Sequence, residues 1–127
     1  EALAASNDVL DRVDFLGWVA DEHLIRLYAD SLAVAYTPYD EDYGYVTLEA
    51  FLAHKPVITA TDCGGTLEFV EDGVNGKICD PAEEAIANAI NTLADKRQHA
   101  ASLGAAGYEI ARRITWDGVI EKLVENS

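Results

Sequence analysis

Two glutamates, Glu41 and Glu49, stand eight residues apart and are the first candidates for chemistry. With 11 glutamates in the chain, about one such pair arises by chance, so the spacing alone decides nothing. Their setting says more. Pro38 ends an apolar run, Glu41 falls in the acidic loop behind it, and Gly44 lets a backbone approach a ligand where a helix is due to begin. Glu49 then lies roughly a turn and a half into that helix and reaches the same pocket from the other side of its N-terminus. A helix N-terminus offers unpaired N–H groups and partial positive charge, which suit a diphosphate. Carboxylates beside it pair naturally with sugar hydroxyls, because a carboxylate accepts two adjacent O–H donors. Elsewhere the chemistry is sparse. Cys63 and Cys79 match no zinc or redox spacing, and His23, His54 and His99 make no metal cluster, so no metal is expected. The cysteines read as reduced, partly buried residues of a cytoplasmic protein.

Elements must position these groups. The first ten residues read as the tail of a helix with no start signal, so the chain reads as part of a longer one. Val13-Asp14-Phe15-Leu16 reads as a short strand stopped by Gly17. Asp21 is placed to cap a helix carrying Leu24, Ile25, Leu27 and Tyr28 at helical spacing. Leu32-Ala33-Val34-Ala35-Tyr36 is a continuous apolar run, the pattern of a strand buried on both faces. The helix from near Gly44 should turn Val46, Leu48, Ala50, Phe51 and Leu52 inward. Pro56 opens a third strand, Val57-Ile58-Thr59, followed by a loop at 61–65 and a short helix at 67–70. A turn at Asp72-Gly73 leads to a fourth strand, Gly76-Lys77-Ile78-Cys79. Residues 83–113 are Ala-rich and helical, with a break expected near Ser102-Leu103-Gly104, and Thr115 can cap a last helix through Val124.

Strands alternating with helices at about 20-residue intervals imply an α/β fold with a parallel sheet and right-handed crossovers. Such sheets bind ligands at the carboxyl ends of their strands. That rule nominates Gly17-Trp18-Val19, residues 37–44 and residues 61–66. The length, 127 residues, allows one domain with a real core. Half the residues are apolar, and no apolar run approaches the ~20 residues of a membrane helix. The net charge of -14 repels phosphate backbones and anionic headgroups, which argues against nucleic acid and membrane surfaces as partners.

The stretch Pro38-Tyr39-Asp40-Glu41-Asp42-Tyr43-Gly44-Tyr45-Val46-Thr47-Leu48-Glu49-Ala50 resembles the donor-site motif of retaining GT-B glycosyltransferases of family 4. Phe15-Leu16-Gly17, then Pro56-Val57-Ile58, Gly64-Gly65 with Glu68, and Asp72-Gly73 with Gly76 follow in that family's order, a likeness running from about Val13 to Asp117. The resemblance implies a Rossmann-like three-layer α/β/α fold, with residues 1–127 forming part of the donor-binding second domain. The N-terminal acceptor domain and the donor domain's first strands would be absent. It implies transfer of a hexose from a UDP- or GDP-sugar to a sugar or lipid-linked hydroxyl acceptor, with retention, without metal or cofactor, in polysaccharide or glycoconjugate biosynthesis.

Carried over position by position, Glu49 would hold the ribose hydroxyls and Glu41, the catalytic candidate, would stand at the transferred sugar. Tyr43, Gly44, Tyr45, Val46 and Thr47 would meet sugar and diphosphate, Trp18 and Val19 the base, and Gly64 and Gly65 would complete the pocket. Thr66 stands where one branch of that family, the one this stretch resembles most, often has proline. The family's basic residues for the diphosphate lie upstream of this chain, and none of its nine Lys and Arg falls in the three loops. The chain alone should therefore bind weakly and catalyse nothing.

Blander readings stand beside these. Glu49 can be a solvated helix carboxylate, Glu41 part of an acidic loop, and Tyr39, Tyr43 and Tyr45 aromatic packing. Trp116 reads as packing for the last helix, and His54 and Lys55 as partners of a helix C-terminus. A receiver-like signalling domain would want adjacent acids after the first strand and a late Lys, where this chain has Gly17-Trp18 and none. A non-catalytic nucleotide-sugar sensor shares every motif. In the family the central strand lies beside the run at 32–36, and its absence would bare an apolar edge. Either Val13 to Leu16 closes that gap, giving four strands in the order one-two-three-four, or a second copy does. The segment is short, so self-association is the expectation.

Overall fold

The computed structural model describes residues 1–115, 117, 118, 121 and 124. In chain order the elements are α1 (Ala2–Ser6), α2 (Asp21–Asp30), β1 (Val34–Ala35), α3 (Tyr45–Leu52), β2 (Val57–Ala60), β3 (Gly76–Cys79), α4 (Glu83–Asp95) and α5 (Arg97–Ala111). Short 3-10 turns cover Leu10–Arg12 and Gly65–Glu68. The strands pair in the order β1-β2-β3, all parallel, with Val34 opposite Val57 and Val57 opposite Gly76.

Alternation along β2 sends its side chains to two cores. Val57 packs with Ala50 and Phe51 of α3, Val70 and Ala111, and Tyr28, Val34 and Tyr36 lean on that cluster. Ile58 faces the other way, onto Ala89 and Leu93 of α4 and Ala100 and Leu103 of α5. Helices thus cover both faces, the three-layer α/β arrangement expected, and every residue of β2 is buried, as in a central parallel strand. Fully buried Phe51 contributes on the order of 1.5–3 kcal/mol from burial alone.

Several expectations are corrected. Residues 13–16 form no strand; Val13, Phe15 and Leu16 are exposed, and Gly17 at φ +60° turns the chain away. Extended backbone with no neighbour to bond is not held as a strand. The sheet therefore has three described strands and not four. Asp21 is the first helical residue of α2, and Ala20 stands at the cap with no side-chain hydrogen bond. The run at 32–36 is paired at Val34 and Ala35, with Val34 N–H donating to Pro56 O (3.0 Å) and Tyr36 N–H to Ile58 O (2.9 Å). It is half-buried, with Ala35 exposed, because β1 is an edge. Leu52 points outward, and buried Thr47 fills the inner face of α3 in its stead. The short helix expected at 67–70 is the 3-10 turn Gly65–Glu68.

The helical break falls at Lys96 (φ -123°, ψ 63°), and α5 runs unbroken through Ser102, Leu103 and Gly104. Gly104 is a packing residue: a Cβ there would collide with His54 O. At the end of α3, His54 N–H donates to Phe51 O and Lys55 N–H to Ala50 O (both 2.9 Å), a Schellman-type stop with His54 in the left-handed region at φ +58°. Its ring stacks on Tyr108, with centroids 3.9 Å apart. The last helix and Trp116 lie largely outside the described residues; Thr115 Oγ1 accepts the Gly118 N–H at 3.2 Å.

Candidate functional site

The site is built where β1 and β2 end and α3 begins. Two loops leave the carboxyl ends of these strands and zip together. Asp40 N–H donates to Asp62 O (3.0 Å), Glu41 N–H to Cys63 O (3.2 Å) and Gly65 N–H to Glu41 O (2.6 Å). The approach is so close that a Cβ on Gly64 would stand 2.6 Å from Glu41 O, and one on Gly65 would collide with Asp42 O. Gly64 also takes φ +66°. Glycine is required at both positions to seat the Glu41 loop.

Gly44 (φ +72°) then turns the chain into α3, its C=O accepting the Thr47 N–H at 2.9 Å. A Cβ on Gly44 would lie 2.8 Å from Thr66 Oγ1. The hydroxyls of Thr47 and Thr66 are buried without a protein partner. The Thr47 side chain is thus turned into the protein and not toward the mouth of the helix.

The structure places Glu41 and Glu49 around this helix start, each held by a tyrosine. Glu41 Oε2 accepts the Tyr36 phenol at 2.8 Å, and Oε1 accepts the Asp42 N–H at 3.1 Å. Glu49 Oε2 accepts the Tyr28 phenol at 2.8 Å. Both phenols are pushed up from their ordinary acidity. For Tyr28 burial comes first and the Glu49 carboxylate second; for Tyr36 the hydrogen bond to Glu41 leads. Each stays protonated and keeps donating across the neutral range. Among the described residues the ion pairs are Lys77 with Asp72 and Arg112 and Arg113 with Glu109, so neither site glutamate is matched by a cation. No three His, Cys, Asp or Glu side chains among the described residues come together to hold a metal ion.

The other candidates divide. Tyr43 sits between Tyr45 (4.8 Å between centroids) and Phe69 (5.1 Å), an aromatic mount for the loop, while Tyr45 remains mostly exposed. Val46 is half-buried. Trp18 is 89% exposed and Val19 half-buried, and no described hydrogen bond or aromatic contact ties Trp18 to the two carboxylates. Tyr28 and Tyr36 were missed as site residues. Their signal lay in position: Tyr36 closes the apolar run that leads into the acidic loop, and Tyr28 lies on the apolar spacing of α2, the helix before that run.

The arrangement is a parallel α/β layer with one carboxylate in the loop after β1, a second in the first turns of α3, and the helix N-terminus between them, the place where such sheets bind ligands. The chain belongs to the glycosyl transferases group 1 family, which it matches over residues 1–110. It is 32% identical to the alpha-1,3/1,6-mannosyltransferase ALG2 of Mus musculus over 97% of this chain and 30% of that protein. It is 33% identical to the D-inositol 3-phosphate glycosyltransferase of Corynebacterium diphtheriae over 95% of this chain and 28% of that one. Among solved structures, Anabaena Alr3699/HepE in complex with UDP and glucose superposes with a TM-score of 0.83 at 35% identity, over 98% of this chain and 34% of that one. The chain thus spans about a third or less of the length of these three proteins.

Proposed function

We propose that this chain is the donor-binding part of a glycosyltransferase that moves a hexose from a nucleotide diphosphate sugar to a hydroxyl acceptor with retention. The observation that carries the reading is the pair of carboxylates, Glu41 and Glu49, anchored on either side of the α3 start where two strands end. Support comes also from Anabaena Alr3699/HepE, whose structures contain UDP and UDP-glucose. In this reading Glu49 accepts the ribose hydroxyls and Glu41 the hydroxyls of the transferred sugar. The diphosphate faces the N-terminus of α3, whose N–H groups stabilise charge as the nucleoside diphosphate departs. Tyr43, Gly44, Tyr45, Val46 and Thr47 form that mouth, Gly64 and Gly65 seat it, and Trp18 and Val19 border the base.

Residues 1–127 form one donor-binding unit, and the acceptor, a sugar or lipid-linked hydroxyl, is held by a preceding domain of the whole enzyme. The nucleotide is UDP or GDP. The free thiols of Cys63 and Cys79 suit the reducing cytoplasm. By itself the chain is inactive and pairs with a second copy through β1. The test is titration of the full-length protein with a panel of UDP- and GDP-sugars, followed by turnover of the one that binds. Saturable binding with hexose release or transfer supports the reading; binding with no turnover on any hydroxyl acceptor makes the protein a sensor.

A further inference from the structure

We propose that Tyr28 and Tyr36 are positioning residues for donor binding, each phenol locking one carboxylate oxygen so that Glu49 and Glu41 meet the donor already aimed. This inference rests on the donor-site reading above and goes past it, to residues on two other elements.

An unheld glutamate side chain samples several rotamers and gives up that freedom when a ligand binds. Here the freedom is removed beforehand. Tyr28 comes from α2, 21 residues before Glu49, and Tyr36 directly follows β1, five residues before Glu41. Both rings rest against the buried cluster that holds Ala50, Phe51 and Val57, so their hydroxyls are mounted on the core and not on a loop. Tyr36 also adds, as the smallest cause, to the upward push on Tyr28. A phenol spends its proton on the carboxylate and still offers a lone pair. Each phenol therefore occupies a single carboxylate oxygen. For Glu49, Oε1 has no hydrogen-bond partner among the described residues. For Glu41, the backbone is already pinned by Cys63 O and by Gly65 N–H, so Tyr36 and the Asp42 N–H fix what remains, the carboxylate plane. Preorganisation of this kind raises affinity without adding a contact to the ligand.

Tyrosine to phenylalanine removes one oxygen and keeps the packing, so the variants retain the fold; thermal melts of each confirm it. In the full-length enzyme, calorimetry with UDP and GDP should show Tyr28→Phe weakening the nucleotide that binds by about threefold to tenfold. Tyr36→Phe should leave that affinity unchanged and lower turnover of the sugar donor by a similar factor. Each effect should vanish in the background of its partner's removal: Tyr28→Phe silent on Glu49→Ala, Tyr36→Phe silent on Glu41→Ala. A merely structural tyrosine would lower the melting temperature and show neither the contrast between ligands nor the silence. Two results overturn the inference while leaving the donor site standing. One is that the Glu→Ala variants lose function and the Tyr→Phe variants do not. The other is that the tyrosine effects persist in full without the glutamates. Glu→Ala variants that lose nothing instead remove the donor-site reading and this inference with it.

Discussion

At the scale of residues, the roles proposed for the two carboxylates differ, and so do their surroundings. Glu41 is half-buried on a loop zipped to its neighbour, whereas Glu49 is exposed on the face of α3. If Glu41 meets the transferred sugar, Glu41→Ala should lower turnover and sugar-donor affinity while free nucleoside diphosphate binds nearly as before. Calorimetry with both ligands reads that contrast, and equal losses would return Glu41 to a role in the loop or on the nucleotide. The glutamates were legible in the sequence because a loop behind a buried run and a glycine before a helix bracket them. Tyr28 and Tyr36 were not, because a tyrosine in an apolar run looks the same whether its hydroxyl is used or merely tolerated. Thr47 was legible as a position but not as a side chain, since helical phase alone did not show its hydroxyl turned into the core.

At the scale of elements, α3 stands between the site and the core, and its seat depends on two glycines of α5. A Cβ on Gly107 would collide with the Phe51 ring, and one on Gly104 with His54 O. Gly107→Ala, a change that favours an isolated helix by about 1 kcal/mol, should here destabilise the protein by about 1–3 kcal/mol in chemical denaturation. A neutral or stabilising result would show that α5 does not press on α3. The turn before β3 makes a second prediction. Asp72 Oδ1 accepts the Ile78 N–H at 2.8 Å, and Lys77 lies 3.2 Å away. The backbone bond foremost, then the lysine, hold this carboxyl below its ordinary range. A depressed carboxyl stabilises the fold above its unfolded value, and that stability fades as pH falls through the folded one. The stability gap between the parent and Asp72→Ala should therefore be full at neutral pH and close as acidity passes the carboxylate range; a gap that widens in acid would contradict it.

Element types at this scale followed from the sequence wherever burial set the pattern, as in α3, β2 and β3. The exceptions share a cause. The tetrad at 13–16, three of its four residues apolar, reads as a strand, but a strand needs a hydrogen-bonding neighbour that periodicity cannot supply. Gly104 reads as a break, yet its small size serves the crossing of two helices.

For the whole molecule, the net charge of -14 and the β1 edge pull in opposite directions. The edge presents unpaired backbone beside an apolar groove of about 210 Å³ lined by Leu32, Ala33, Ala35, Ile58, Ile90 and Leu93. Residues 13–16 do not pair with it. The 127-residue chain alone should self-associate through that edge, more so as salt screens its charge. Light scattering across a salt series reads this, and a clean monomer at high concentration and high salt would contradict it.

The central claim is that Glu49 holds the nucleoside part of a nucleotide diphosphate sugar at the start of α3. Calorimetric titration of the full-length enzyme and its Glu49→Ala and Glu49→Gln variants with UDP and GDP tests it directly. Loss of a charged hydrogen-bond acceptor should weaken the nucleotide that binds by about 1.5–3 kcal/mol in Glu49→Ala and somewhat less in Glu49→Gln. Unchanged affinity in both folded variants would contradict the account and leave Glu49 a surface carboxylate.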